Sequence, residues 1–228
     1  MAVRIIPIRA GLGHVYLVRQ NGKAFLVDTG NKSYEKKILK VVRANNTRPE
    51  DLSFIFITHA HYDHAGSAAK LKKLTAAPVI AHEKEARFLE KGYQPLPKGT
   101  APFYKGLIAI GEKMSKTFSG FPAVTPDLTF SEELDLSSRF DIDARIIHTP
   151  GHTLGSSILM IDKYLFAGDT VFNVFNGVIY PIFADNEALL KESWRKILEL
   201  NFEYIYPAHG KRITYKKLYT EAVKKNIV

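Results

Sequence analysis

Three histidines and an aspartate fall within six residues of this chain, and this cluster constrains the fold more than any other feature. It lies in the stretch Thr-His-Ala-His-Tyr-Asp-His, from Thr58 to His64. The apolar run at 54–57 predicts a buried strand before it, and residues 65–74 predict a helix after it. We therefore expect a strand-to-helix loop, where a rigid scaffold holds reacting groups. Imidazole and carboxylate together suit zinc, iron or manganese, so we predict a metal site.

The spacing inside the cluster argues against a single ion. In an extended segment His59, His61 and Asp63 would share one side, while His64 would point to the other. One metal could hardly take all four side chains. The HExxH spacing of a helical metal pair is absent. The alternative, a solvated histidine-rich turn, does not explain why so many ligand types are concentrated in one loop.

Composition sets the class of protein. The 228 residues, 46% hydrophobic and 24% charged, fit one large domain that buries its own core. With no cysteine, disulfides, thiolate ligands and a cysteine nucleophile are excluded. The first residues lack the pattern of a signal peptide, and no apolar run reaches transmembrane length, so we expect a cytoplasmic protein.

The net charge of +9 raises the question of an anionic partner. The lysines are spread over predicted helix faces and interleaved with acidic residues such as Glu35 and Glu221. That pattern is typical of a solvated surface. We therefore expect a small-molecule substrate rather than nucleic acid.

The remaining patterns predict two similar halves, each with strands followed by helices. Such halves favour two packed sheets with helices outside. The first helix is predicted to begin with Ser33 as its N-cap. The predicted strands are 3–8, 14–19, 24–27, 79–81, 144–147, 156–161, 164–167 and 204–206, and the later helices are 83–91, 186–200 and 215–225.

Residues 92–126 differ in composition from the rest of the chain, because five prolines surround an apolar and aromatic centre. Flexible linkers lack such content, so this insertion must pack against something. We expect a short helix at 105–116. The segment is either a lid or wall of the substrate pocket, with Phe103, Leu107 and Phe118 in it, or a contact surface of a homodimer.

Polar, metal-capable side chains also follow several other predicted strands. His148 and His152 follow the strand at 144–147, Asp169 follows the strand at 164–167, and His209 follows the strand at 204–206. His14 and His82 are expected to be structural. Asp28 ends an early strand, where it either holds a metal ligand in place or serves ordinary turn chemistry.

Five motifs in order resemble the metallo-β-lactamase superfamily over nearly the whole chain: Asp-Thr-Gly at 28–30, HxHxDH at 59–64, Thr-Pro-Gly-His-Thr at 149–153, Gly-Asp-Thr at 168–170 and His-Gly at 209–210. The resemblance implies an α/β protein with a four-layer αββα sandwich and a site at the edge between the sheets. It implies these ligands: His59, His61 and His152 on a first metal, Asp63, His64 and His209 on a second, and Asp169 between them. Asp28 and His148 are then expected behind the ligands.

The ligand set implies a mechanism. Two divalent ions about 3.5–4 Å apart, with zinc expected first and iron or manganese as alternatives, hold a bridging hydroxide as the nucleophile. Asp63 would orient this hydroxide and pass a proton to the leaving group.

Differences between this sequence and particular members of the family limit the possible substrate classes. The chain lacks the C-terminal helical extension of glyoxalase II-like thioesterases, and Phe172 stands where similar lactonases carry a tyrosine. We expect a general hydrolase for an ester, lactone, thioester or phosphoester with a hydrophobic part, and Phe172 in its pocket. Two alternatives stay open: a mononuclear iron oxidoreductase resembling the sulfur dioxygenases, and a non-catalytic protein that binds nucleic acid or a partner through its basic surface.

Overall fold

The computed structural model describes residues 2–97, 100, 119–174 and 177–228. The predicted helix at 105–116 and three predicted pocket residues, Phe103, Leu107 and Phe118, lie outside these residues.

The first sheet is formed by the N-terminal half of the chain. Its strands lie in sequence order; β1 to β3 are antiparallel neighbours, whereas β3 to β6 run parallel. Parallel strands need crossover helices, and the intervening segments supply them. The strands are β1 (Arg4–Ala10), β2 (Gly13–Gln20), β3 (Lys23–Val27), β4 (Leu52–Phe56), β5 (Val79–His82) and β6 (Leu128–Phe130).

The second sheet is formed by the C-terminal half, in the order β12-β11-β10-β9-β8-β7. Its neighbours are antiparallel except β10 and β11, which run parallel. The strands are β7 (Glu133–Asp135), β8 (Ala144–His148), β9 (Ser157–Ile161), β10 (Tyr164–Gly168), β11 (Tyr204–Pro207) and β12 (Ile213–Thr214).

Helices cover the outer face of each sheet. Helices α1 (Glu35–Ala44), α3 (Ala68–Thr75) and α4 (Glu83–Lys91) pack on the first sheet, and α6 (Glu187–Leu198) and α7 (Tyr215–Lys224) pack on the second. Two short helices, α2 (Tyr62–Ala65) and α5 (Ser137–Phe140), and a 3-10 turn (Pro49–Asp51) complete the described elements.

The inner faces of the two sheets meet in a largely aromatic core. Phe25 stacks on Phe54 with ring centroids 4.5 Å apart, and Phe56 joins Phe166 of the opposite sheet in the same cluster. All four side chains are fully buried, and burying each contributes roughly 1.5–3 kcal/mol. The predicted α/β class and the four-layer αββα sandwich are confirmed.

Two local predictions are wrong. Ser33 is not an N-cap: its backbone is left-handed, with φ 72°, and α1 begins after Tyr34, whose backbone N–H donates to Ser67 Oγ of a neighbouring segment. The single helix expected at 65–74 is replaced by two, because α2 already begins inside the histidine cluster.

Among the described residues, none of the helices combines the length and the apolar character needed to cross a membrane.

Candidate metal centre

The candidate site lies where several strands end at one edge of the sandwich. Asp28 follows β3 and the cluster at 59–64 follows β4, its parallel neighbour. In the second sheet His152 follows β8, Asp169 follows β10 and His209 follows β11. Since β8, β10 and β11 all run in the same direction, their carboxyl ends meet at the same edge. The topology therefore brings residues about 150 positions apart into one site.

Three ring nitrogens converge in what we name the imidazole triad, formed by His59, His61 and His152. His61 Nδ1 lies 2.8 Å from His59 Nε2 and 3.2 Å from His152 Nε2. All three residues are almost completely buried. Nitrogens on a tetrahedral zinc ion, at about 2.0–2.1 Å from it, lie about 3.3 Å apart, so the triad is already close to that spacing.

The partners of two of these rings show which nitrogens carry a hydrogen. His61 Nε2 lies 3.2 Å from the carbonyl oxygen of Pro95, and His152 Nδ1 lies 3.0 Å from that of Phe183. A carbonyl can only accept, so both of these nitrogens donate. The nitrogens that face each other, His61 Nδ1 and His152 Nε2, therefore hold lone pairs.

The third ring follows the same logic. The Thr58 hydroxyl donates to the carboxylate of Asp28, 3.0 Å from each oxygen, and so accepts from His59 Nδ1 at 3.2 Å. This leaves a lone pair on His59 Nε2. Three lone pairs thus face one another, with His61 Nδ1 2.8 Å and 3.2 Å from the other two nitrogens, and they repel unless a cation lies among them.

Burial keeps the imidazole triad neutral. It lowers the pKa of His59 well below its ordinary value and that of His61 to about 3, and neighbouring imidazoles add to both effects. It also lowers the pKa of His152. A proton therefore does not supply the missing positive charge at neutral pH.

A second group, the mixed triad, consists of Asp63, His64 and His209. His209 Nε2 lies 3.3 Å from Asp63 Oδ2, and these two side chains are the more open part of the site, 16% and 11% exposed. Burial lowers the pKa of His64, but the carboxylates of Asp169 and Asp28 outweigh it and hold that pKa well above its ordinary value. This triad attracts positive charge.

Asp169 lies between the two triads. Its Oδ1 is 3.3 Å from His64 Nε2 and 3.4 Å from His209 Nε2, whereas its Oδ2 is 3.5 Å from His152 Nε2. Burial raises the pKa of Asp169, but the positive charges of His209 and His64 lower it by more than burial raises it. The net shift of this pKa is therefore downward. One ionised carboxylate thus faces both triads.

Two buried atoms at this point, His64 Nε2 and Asp169 Oδ1, lie 3.3 Å apart but are not aligned for a hydrogen bond, and no other described atom supplies one. Leaving such atoms unpaired costs about 1–3 kcal/mol each, unless something other than a hydrogen bond satisfies them. Together with the three facing lone pairs, these atoms fit a centre that binds divalent metal through nitrogen and oxygen donors.

The grouping expected from an extended chain is wrong for Asp63. Helix α2 begins at Tyr62, which turns Asp63 away from His59 and His61 and towards His64. The potential ligand atoms also form a third group, His59, His64 and Asp169, so the assignment of residues to individual ions stays a prediction.

Asp28 lies directly behind the site. Its Oδ2 is 2.9 Å from His64 Nδ1, and its Oδ1 accepts from the backbone N–H of Thr58 at 2.8 Å. Its backbone is left-handed, with φ 62°, a conformation that is uncommon outside glycine but that aspartate adopts more readily than most residues. Gly168 makes room for this arrangement, since a Cβ there would lie 2.6 Å from the Thr58 hydroxyl.

The other candidate residues take different positions. Phe172 is buried, with its ring centroid 6.2 Å from that of His152 and 5.4 Å from that of His209, so it borders both triads. His148 stacks on His82 at 4.0 Å and lies 3.0 Å from the carbonyl oxygen of Leu154, so it touches the His152 loop rather than a ligand atom. His14 lies 3.2 Å from the carbonyl oxygen of Ala208.

Glu85 is a residue that the sequence reasoning missed. It lies in α4, on the face that packs against the site, and it is fully buried. In the sequence it belongs to a charged helix, and only its partners from distant segments distinguish it from the exposed acids beside it.

The comparison with known families agrees with this geometry. The family model described as the Metallo-beta-lactamase superfamily matches residues 8–209. The chain belongs to the metallo-β-lactamase superfamily. The predicted family and the predicted enzyme class, a metallo-hydrolase of this superfamily, are confirmed.

Two curated relatives within the superfamily are similar over much of their length. The hydroxyacylglutathione hydrolase GloC of Haemophilus influenzae is 28% identical over 94% of this chain and 93% of its own. The metallo-beta-lactamase fold-containing protein ST1585 of Sulfurisphaera tokodaii is 26% identical over 73% of this chain, and the match spans only 64% of that relative.

Solved structures share the fold. The structure of TTHA1623 in a di-iron-bound form superimposes with a TM-score of 0.68 at 24% identity, covering 93% of this chain and 96% of that one.

Proposed function

We propose that this protein is a dinuclear metal-dependent hydrolase acting on an ester, lactone, thioester or phosphoester with a hydrophobic part. The observation that carries the proposal is the pair of triads with Asp169 between them, in which the imidazole triad presents three lone pairs to one point. His59, His61 and His152 would hold one ion, Asp63, His64 and His209 the other, and Asp169 both.

The donor set is one of nitrogen and oxygen ligands, which suits zinc first and iron or manganese next. Two bound divalent ions would polarise a substrate oxygen and bring the pKa of a water to about 7. Five of the seven side chains are imidazoles, so Asp63 and Asp169 offset only part of the positive charge. The pocket would therefore stabilise an anionic transition state.

Asp63 is placed for proton transfer. Its carboxylate belongs to the more exposed triad, and its Oδ2 faces His209 Nε2 at 3.3 Å. Burial raises the pKa of Asp63, but the neighbouring His209 and His64 outweigh it and lower the pKa overall, so the carboxylate is ionised and can accept a proton.

Apolar side chains at the border of the site favour a substrate with a hydrophobic part. Phe172 lies beside both triads, and Pro95 of the insertion touches His61. Thr100 is tied to the opposite side of the site, since its backbone N–H donates to the carbonyl oxygen of Ile182 and its hydroxyl to that of Pro181. These contacts support Pro95 and Thr100, two described residues of the insertion, as part of the pocket wall.

GloC guides the choice of the first substrate. The match covers 93% of GloC, so the length of this chain does not argue against a glutathione thioester as substrate. A hydroxyacylglutathione thioester therefore belongs in the first panel.

The test is a hydrolysis screen of zinc-loaded protein on one acyl group presented as ester, lactone and thioester, with an aryl phosphodiester alongside. We expect turnover of at least one class, faster with a longer or aromatic acyl group. Hydrolysis of none of them, with oxygen uptake by iron-loaded protein, would instead support the oxidoreductase. Salt-sensitive retention of nucleic acid without hydrolysis would support the binding protein.

A further inference from the structure

Glu85 accepts three hydrogen bonds although its side chain is fully buried. Its Oε2 accepts from the backbone N–H of Ala60 at 2.8 Å, and its Oε1 accepts from the Thr153 hydroxyl and the Gly155 N–H, both at 2.9 Å. A buried carboxylate is costly unless it is paired in this way.

These partners belong to the two loops that carry the imidazole triad. Ala60 lies between His59 and His61, and Thr153 directly follows His152. One oxygen of Glu85 therefore holds the loop after β4, and the other holds the loop after β8. The two loops come from different sheets, so their relative position depends on contacts of this kind.

The contacts require a carboxylate rather than an amide. The backbone N–H groups of Ala60 and Gly155 can only donate, and they bond to different oxygens of Glu85. A glutamine would turn an NH2 group towards one of them. The fit is also close, since a Cβ at Gly155 would lie 2.6 Å from Glu85 Oε1.

We propose that Glu85 is a positioning residue that fixes the spacing of His59, His61 and His152 and thereby sets the affinity of the imidazole triad for a divalent ion. The inference rests on the proposed function, because it assumes that this triad binds an ion. Glu85 contacts no residue of the mixed triad among its described partners, so its effect is confined to one of the two ions.

The experiment is a Co²⁺ titration of metal-stripped protein, followed by calorimetry and by the visible absorption of bound cobalt. The variants are Glu85→Gln and, as a matched control, Glu90→Gln, the same change at an exposed position of the same helix. We expect two binding phases in the wild type and the control. In Glu85→Gln one phase should weaken about 10- to 100-fold, the range for residues that orient metal ligands, with an altered cobalt spectrum.

Gly155→Ala provides a second variant if Glu85→Gln does not fold by circular dichroism. It keeps the carboxylate but displaces it, and the same selective weakening is expected. Two unchanged phases in a folded Glu85→Gln or Gly155→Ala protein would overturn the inference while leaving the proposed function intact. A wild type that binds no cobalt would overturn the proposed function, and the inference with it.

Discussion

Two groups of buried histidines in this molecule differ in one respect that decides their role. In the imidazole triad the nitrogens that face one another all hold lone pairs, as their outer nitrogens already donate to protein acceptors. In the stacked pair of His82 and His148 the hydrogen bonds point away from the partner ring: His82 donates to Ser131 O at 2.6 Å and accepts from Lys84 N–H at 3.1 Å, and His148 contacts Leu154 O.

The difference shows that burial alone does not identify a metal ligand. Burial lowers the pKa of His82, His148 and the three histidines of the triad alike. Only the triad lacks a hydrogen-bond donor where its nitrogens meet. Counting donors and acceptors therefore separates a site that needs a cation from a pair that the protein satisfies by itself.

The largest effect is expected from Asp63→Asn, which alters the site and leaves the stacked pair untouched. Loss of a positioned proton acceptor should lower turnover about 10²- to 10⁴-fold. Asp143→Asn, at an exposed position, is the matched control and should keep full activity. The measurement is steady-state hydrolysis with circular dichroism of each variant. Near wild-type turnover by a folded Asp63→Asn protein would exclude the role assigned to Asp63.

Metal removal should have the next largest effect, this time on stability. The facing lone pairs repel without a cation, and an ion at 1,000 times its Kd stabilises the folded state by about 4 kcal/mol. Urea unfolding of wild type and His82→Gln, each with zinc and with a chelator, measures this difference. Zinc should stabilise both proteins equally. A smaller stabilisation by zinc in His82→Gln would show that the stacked pair takes part in metal binding. The stacked pair would then not differ from the imidazole triad as described.

The smallest effect is expected from the stacked pair itself, as a pH dependence. Burial, with the charge of His148, lowers the pKa of His82 to about 4 from its ordinary 6.5. The unfolded chain therefore takes up a proton near pH 6.5, but the folded protein does so only near pH 4. The contribution of His82 to stability is complete above pH 6.5 and is lost as pH falls towards 4.

The loss should amount to about 1–3 kcal/mol across that range. It is measured as the difference in unfolding free energy between wild type and His82→Gln, both without metal, from pH 7 to 4. The titrating ligands contribute equally to both proteins and cancel. Parallel curves for the two proteins would show that His82 does not titrate as described.

Much of the fold and the site could be predicted because the signals are local. The motifs lie at the ends of apolar strands, and strand ends bring distant loops to one edge, so the seven predicted side chains meet. Spacing alone puts Asp63 on the same side as His59 and His61, and this is wrong because α2 begins at Tyr62. The start of α2 depends on how the loop folds. The prediction that Ser33 is the N-cap of α1 is wrong for a similar reason. The backbone N–H of Tyr34 donates to the hydroxyl of Ser67, which lies in another part of the chain.

Glu85 could not have been found from its neighbourhood in the sequence. It is one of three acidic residues in helix α4, and it differs from Glu83 and Glu90 only in facing inward. Its role follows from its hydrogen bonds with Ala60 and Thr153, which lie 25 and 68 positions away in the sequence. Contacts between residues so far apart produce no periodic pattern in the sequence from which they could be predicted.

The central claim, that two triads share Asp169 and bind two cations while the stacked pair binds none, is tested most directly by metal stoichiometry. The measurement is elemental analysis of wild type and His82→Gln after reconstitution with zinc and removal of unbound metal. We predict close to two ions per chain in both proteins. One ion per chain in the wild type, or a loss of metal in His82→Gln, would contradict the account.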